Sequence, residues 1–287
     1  RGATLGDVGG TIEVQNSGAN LTWNGTNVGS GALIKIGPGT LTLSAGNNYS
    51  GGTVIKDGTI ALNGPAGGGT VTANNYSLGS GSVTFQGGTL KLFGNGGSTS
   101  PEYGNFSRPM IVPEGETGTL LTPPRYTLSA PLSGSGTLNL EVDYVRGTMS
   151  GNWSAFQGLI NISGRVANSE FRIANTAGYA GATLFLNDNV VITRSGSATT
   201  IEIGALGGTS NSRIGPGNSS SSGSSYRIGW NNQDAVFAGR ILADGVNTIT
   251  KVGTGNWTIS GANTYSGGTI VNGGTWTVNN TSGSGTG

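Results

Sequence analysis

Cysteine and histidine are both absent from these 287 residues. That excludes disulfide staples and the usual Cys/His zinc site. It also excludes any mechanism built on a histidine base or a cysteine nucleophile. Charge is scarce as well: 14 basic and 13 acidic side chains make up 9% of the chain. The basic residues are scattered and form no patch that could neutralise phosphates, so nucleic acid is not expected as a partner. No stretch approaches 18 apolar residues, so no membrane insertion is expected. Low charge with 34% hydrophobic residues also excludes a charged disordered chain.

What is present is small and polar: 56 Gly, 35 Thr, 31 Ser and 28 Asn. Glycine and β-branched threonine are poor helix formers, and glycine does not recur at every third position as collagen requires. The chain therefore reads as all-β. It begins at Arg1 without a charged-then-apolar leader, so it is expected to be joined to other domains of a larger protein.

Two segments repeat each other. Residues 33–64 and 249–280 align at an offset of 216 with 14 of 32 positions identical. Lys35 matches Lys251, Tyr49 matches Tyr265, and Ser50-Gly51-Gly52-Thr53 matches Ser266-Gly267-Gly268-Thr269. Short alternations such as Leu41/Leu43, Ile60/Leu62, Leu138/Leu140, Ile160/Ile162 and Leu184/Leu186 predict strands with one buried face. Gly-Gly or Ser-Gly pairs before them supply tight corners. Short strands, glycine corners and a period of roughly 20 to 25 residues predict a right-handed parallel β-helix. We expect one domain over residues 1–287. Six of the nine prolines fall between Pro101 and Pro131. Proline cannot donate to a ladder, so an irregular insertion is expected at about residues 97–131.

The string Gly-x-Gly-x-Leu-x-Leu-Ser-x-x-Asn-x-Tyr-Ser-Gly-Gly-Thr-x-Val-x-x-Gly-Thr-Leu, seen with apolar exchanges at Gly37 to Ile60 and again at Gly253 to Trp276, resembles the autotransporter-associated β-strand repeat, also called the passenger-associated transport repeat. The resemblance covers roughly a quarter of the chain. It implies a β-helix exported from a Gram-negative bacterium, secreted or held at the cell surface, and leaves the function open. One expectation is a non-catalytic carbohydrate-binding module on a secreted polysaccharide-degrading enzyme, similar to the β-helical xylan-binding modules of bacterial xylanases. The alternative is a passenger fragment or stalk of an autotransporter adhesin.

The site candidates follow from sugar chemistry: flat rings stack on apolar C–H faces, and amides or charged groups pair with hydroxyls. Rings outside the repeat pattern are Tyr103, Phe106, Tyr126, Tyr144, Trp153, Tyr179 and Trp230, and polar groups near them in sequence are Arg125, Gln157 and the run Asn231-Asn232-Gln233-Asp234. Glu141 and Asp143 share the outer face of one strand about 6.5 to 7 Å apart. That spacing admits a glycosidic acid/base pair, two oxygen ligands for Ca²⁺, or two solvated acids paired with arginine. No other cofactor is expected, and the chain is not expected to be an enzyme. The Pro-rich stretch and its surroundings, up to about Trp153, are the expected location of the site.

Overall fold

The structure, a computed structural model, describes residues 1–63, 77–94, 105–123, 126–142, 148–175, 178–196, 200–215, 224–243 and 246–286. Among the described residues every regular element is a strand, and no helix is long and apolar enough to cross a membrane. Parallel strands stack as a β-solenoid. The chain divides into two compact units, Arg1–Leu140 and Glu141–Gly287.

In the first unit one stack runs through Gly10–Glu13, Leu33–Ile36, Thr53–Ile55, Val83–Phe85, Met110–Val112 and Leu132–Gly134. A second runs through Asn20–Trp23, Thr40–Leu43, Thr59–Leu62, Thr89–Lys91 and Thr117–Leu121. Leu33 pairs with Thr53, so that coil takes 20 residues. The alternation seen in sequence sends Leu41, Leu43, Ile60 and Leu90 inward, where they are fully buried. Each such side chain contributes about 1.5 to 3 kcal/mol of hydrophobic burial.

The repeat also specifies polar residues inside the solenoid. Lys35 is fully buried, and its ammonium donates to the carbonyls of Ile36, Gly37 and Asp57. Lys251 occupies the same place in the second copy and donates to Val252, Gly253 and Gly273. Burial lowers the pKa of both, partly offset by Asp57 and Asp234 respectively. Asn47 accepts from the backbone N–H of Asn27 and donates to Ser77 O in the next coil. Its counterpart Asn263 accepts from Ile241 N–H and donates to Gly285 O. Tyr49 and Tyr265 are buried with hydroxyls on Thr53 and Thr269, 2.7 and 2.5 Å away. The lysines and asparagines thus complete the hydrogen bonding of backbone carbonyls and amides at the coil corners, while each tyrosine hydroxyl pairs with a threonine.

The Pro-rich stretch carries short strands where it is described: Asn105–Phe106, Met110–Val112, Thr117–Leu121 and Thr127–Leu128. Pro109 and Pro131 sit just before strands, where no N–H is needed, and their carbonyls accept from Val83 and Met110.

In the second unit one stack comprises Leu159–Gly164, Tyr179–Leu186, Thr200–Gly208, Ser224–Ile228, Val246–Lys251 and Thr269–Val271. The nine-residue strand Thr200–Gly208 is the longest among the described residues. After it the sheet forks: its first half pairs with Ser224–Ile228, while Gly208 at its end pairs with Phe237 of Ala235–Phe237. Asn256–Ile259 and Thr275–Val278 continue that second branch. A separate stack joins Thr148–Met149, Ser169–Ile173, Val190–Arg194, Arg213–Ile214 and Arg240–Ile241.

Candidate functional site

The fork in the second unit creates a corner at Gly229–Asp234, and the site is built there. Glu202 and Arg227 are direct partners on neighbouring parallel strands. Their neighbours Ile201, Ile203, Tyr226 and Ile228 are buried, so the two charged side chains share the outer face. Arg227 Nη1 lies 3.2 Å from Glu202 Oε1. The guanidinium sits over the Trp230 ring, 4.7 Å from its centroid, an arrangement worth about 0.5 to 1 kcal/mol near a surface. The indole N–H donates to the other carboxylate oxygen of Glu202. Trp230 is thus held by a charge pair whose members cancel each other, yet 41% of the residue stays exposed.

The next residue reaches the other way. Asn231 Nδ2 donates to Thr183 Oγ1 at 3.0 Å, two strands back, and its Oδ1 accepts from Gln233 N–H at 3.2 Å. Gly204 permits this reach: a Cβ there would lie 2.9 Å from Asn231 Nδ2 and 2.3 Å from Ala182 O.

The strand Tyr179–Leu186 is bulged at this level. Tyr179 pairs with Ile203 and Thr183 with Ala205, so Ala180, Gly181 and Ala182 face the single residue Gly204. Bulges bend a strand and leave residues unpaired, and they favour functional edges. Here the bulge presents Ala180 and Gly181, with little side-chain bulk, to a groove of about 550 Å³. Gln157, Trp230, Asn231 and Gln233 line the same groove. The side-chain amides of Gln157 and Gln233 are exposed and have no hydrogen-bond partner among the described residues.

Of the residues singled out from sequence, Gln157 and Trp230 are brought together in this groove. Tyr126 and Trp153 are core residues, each 1% exposed, and Phe106 and Tyr179 are fully buried. Trp153 packs against Phe171 and Tyr179, with ring centroids 6.2 and 5.9 Å away. None of these four rings offers a face to a ligand. Glu141 pairs with Arg165 at 3.0 Å on the surface. Tyr103, Arg125, Asp143 and Tyr144 lie outside the described residues. Sequence reading noted Gln233 beside Trp230 but had no signal for Thr183, Ala180 or Gly181, whose roles arise from strand register alone. A second groove, of about 590 Å³ in the first unit, is lined by Asn20, Thr40, Thr42, Lys91, Phe93 and Leu121. It carries the Asn20 and Asn63 amides but no tryptophan.

Chemically, the Trp230 groove offers one ring, the side-chain amides of Gln157, Asn231 and Gln233, and the hydroxyl of Thr183. It has no carboxylate pair positioned for acid/base work. Among the described residues no group of three or more Asp or Glu could hold a metal ion.

Comparison with known proteins adds the following. Residues 33–62 and 249–275 match the family model described as Passenger-associated-transport-repeat. Over 56 residues the chain is 48% identical to the Adhesin BmaC autotransporter of Brucella suis biovar 1 (strain 1330). That stretch is 20% of this chain and 2% of the relative, so only a small fraction of the relative's length is spanned. No solved structure matches the chain. These findings favour the passenger expectation over the xylan-binding module, for which they provide no support. In its two repeat segments the chain is similar to the passenger-associated transport repeat, and over 56 residues it is similar to an autotransporter adhesin.

Proposed function

We propose that this chain is a non-catalytic segment of an exported, cell-surface adhesin-type passenger of a Gram-negative bacterium. One observation carries the reading: the same passenger-associated repeat matches at residues 33–62 and 249–275, and both copies use the same inward lysine, asparagine and tyrosine in stacked coils. The physical properties suit export. Without cysteine no disulfide can lock the chain before it crosses a membrane. In a solenoid each coil rests on its neighbours, so folding can propagate coil by coil as the chain emerges.

The test is display. The chain is placed between a cleavable signal peptide and the translocator barrel of an autotransporter whose own passenger exports well. We expect the chain on the outer surface, cut by protease added to intact cells. Retention inside the envelope, with the barrel inserted normally and the native passenger exported in parallel, would overturn the reading.

A further inference from the structure

We propose that the Trp230 groove binds a neutral sugar ring. This goes beyond the passenger reading and does not depend on it.

The argument begins with the ring. An indole held in place before the ligand arrives loses little freedom on binding. Trp230 is fixed by the hydrogen bond to Glu202 and by the guanidinium of Arg227 over its ring. The exposed part of that ring offers an apolar surface to sugar C–H groups. The charges that fix it neutralise each other at 3.2 Å, so the groove has no net charge to attract a phosphate or a carboxylate.

The amides come next. Each amide both donates and accepts, which matches a hydroxyl, itself donor and acceptor. Gln157 and Gln233 line the groove with unengaged amides, and Asn231 is oriented by Thr183 and Gln233. An acyl chain would cover these amides without pairing them.

Space is the last requirement. The bulge places Ala180 and Gly181 where larger side chains would fill the groove. A volume of about 550 Å³ lies within the usual range for small-molecule sites, about 300 to 1,000 Å³. Ring, amides and room therefore converge on one ligand class: an uncharged saccharide unit. Such a unit could belong to a free polysaccharide or to a glycoprotein on another cell.

Affinity electrophoresis of the purified chain separates these sources. Native gels would contain soluble xylan, β-glucan or mannan in one set and a desialylated glycoprotein in another. We expect retardation in at least one gel. Trp230→Ala should weaken that retention by about tenfold or more. Because Trp230 is also a packing residue, the double variant Gln157→Ala/Gln233→Ala is run beside it, with thermal melting of both. The double variant should melt like the parent and lose retention by a similar factor. Retardation only in the polysaccharide gels, or only in the glycoprotein gel, supports the proposal and names the source. No retardation in any gel would overturn it, as would retention unchanged in the double variant. Display at the cell surface is read separately, so failure here leaves the passenger reading standing.

Discussion

At the scale of single residues, identity alone does not separate scaffold from site. Lys35 is among the most polar side chains in the protein and is fully buried, because three corner carbonyls need donors. Trp230 is among the most apolar and is 41% exposed. Glycine is the clearest residue-scale case. Gly58 turns its corner at φ +63°, and Gly274 does the same in the second copy at φ +64°. A Cβ on Gly58 would lie 2.4 Å from the carbonyl oxygens of Gly37 and Gly39 in the coil beside it. Gly58→Ala should therefore cost about 1 to 3 kcal/mol, read as a lower midpoint in urea. An unchanged midpoint would show that the corner is not held in that conformation.

At the scale of elements, the strand pattern was legible because its period of two depends only on adjacent residues. The aromatic clusters were not, because they join residues from different coils. Trp153, Phe171 and Tyr179 meet from adjacent coils, with Phe171 and Tyr179 centroids 5.6 Å apart. Trp153→Ala should lose about 3 to 5 kcal/mol through the cavity it leaves, again read by urea unfolding. A variant of parental stability would remove Trp153 from the core. The bulge at Ala180–Ala182 likewise has no local signature, since Tyr-Ala-Gly-Ala-Thr also reads as a plain strand. It becomes visible only against the register of Thr200–Gly208.

At the scale of the whole molecule, the buried phenols set an alkaline limit. Burial pushes the pKa of Tyr49, Tyr179, Tyr226 and Tyr265 up, opposed in part by hydrogen bonds to Tyr49, Tyr179 and Tyr265 and by nearby arginines at Tyr49, Tyr179 and Tyr226. In the unfolded chain a tyrosine ionises near pH 10. Above that pH the unfolded state sheds protons that the folded state keeps, so stability falls as pH rises. Lys35 and Lys251 act in the opposite sense just below, because burial lowers their pKa and the unfolded state then binds more protons. Stability should therefore stay level or rise slightly toward pH 10 and drop beyond it. Each fully buried phenol contributes about 1.4 kcal/mol per pH unit to that drop. Urea midpoints at several pH values would show it, and Tyr226→Phe should make the fall shallower. A midpoint unchanged well above pH 10 would mean these hydroxyls ionise in the folded protein.

The sequence by itself determined the all-β class, the stacked parallel coils, the glycine corners and the repeat that matches the passenger-associated transport repeat at residues 33–62 and 249–275. These depend on local alternation, backbone freedom and self-similarity, all of which are written along one dimension. The tertiary structure decided burial and adjacency. Tyr226 and Trp230 lie four residues apart, yet Tyr226 is 1% exposed and Trp230 is 41% exposed. The difference is a neighbour: Tyr226 is flanked by Ile201 and Ile249 on the strands to either side, whereas Trp230 lies beyond the end of Ser224–Ile228, at the fork. The same dependence put Trp153 in the core and left Trp230 beside Gln157. Where the next coil lies decides which rings are covered, and that follows from register and fork rather than from any residue's own character.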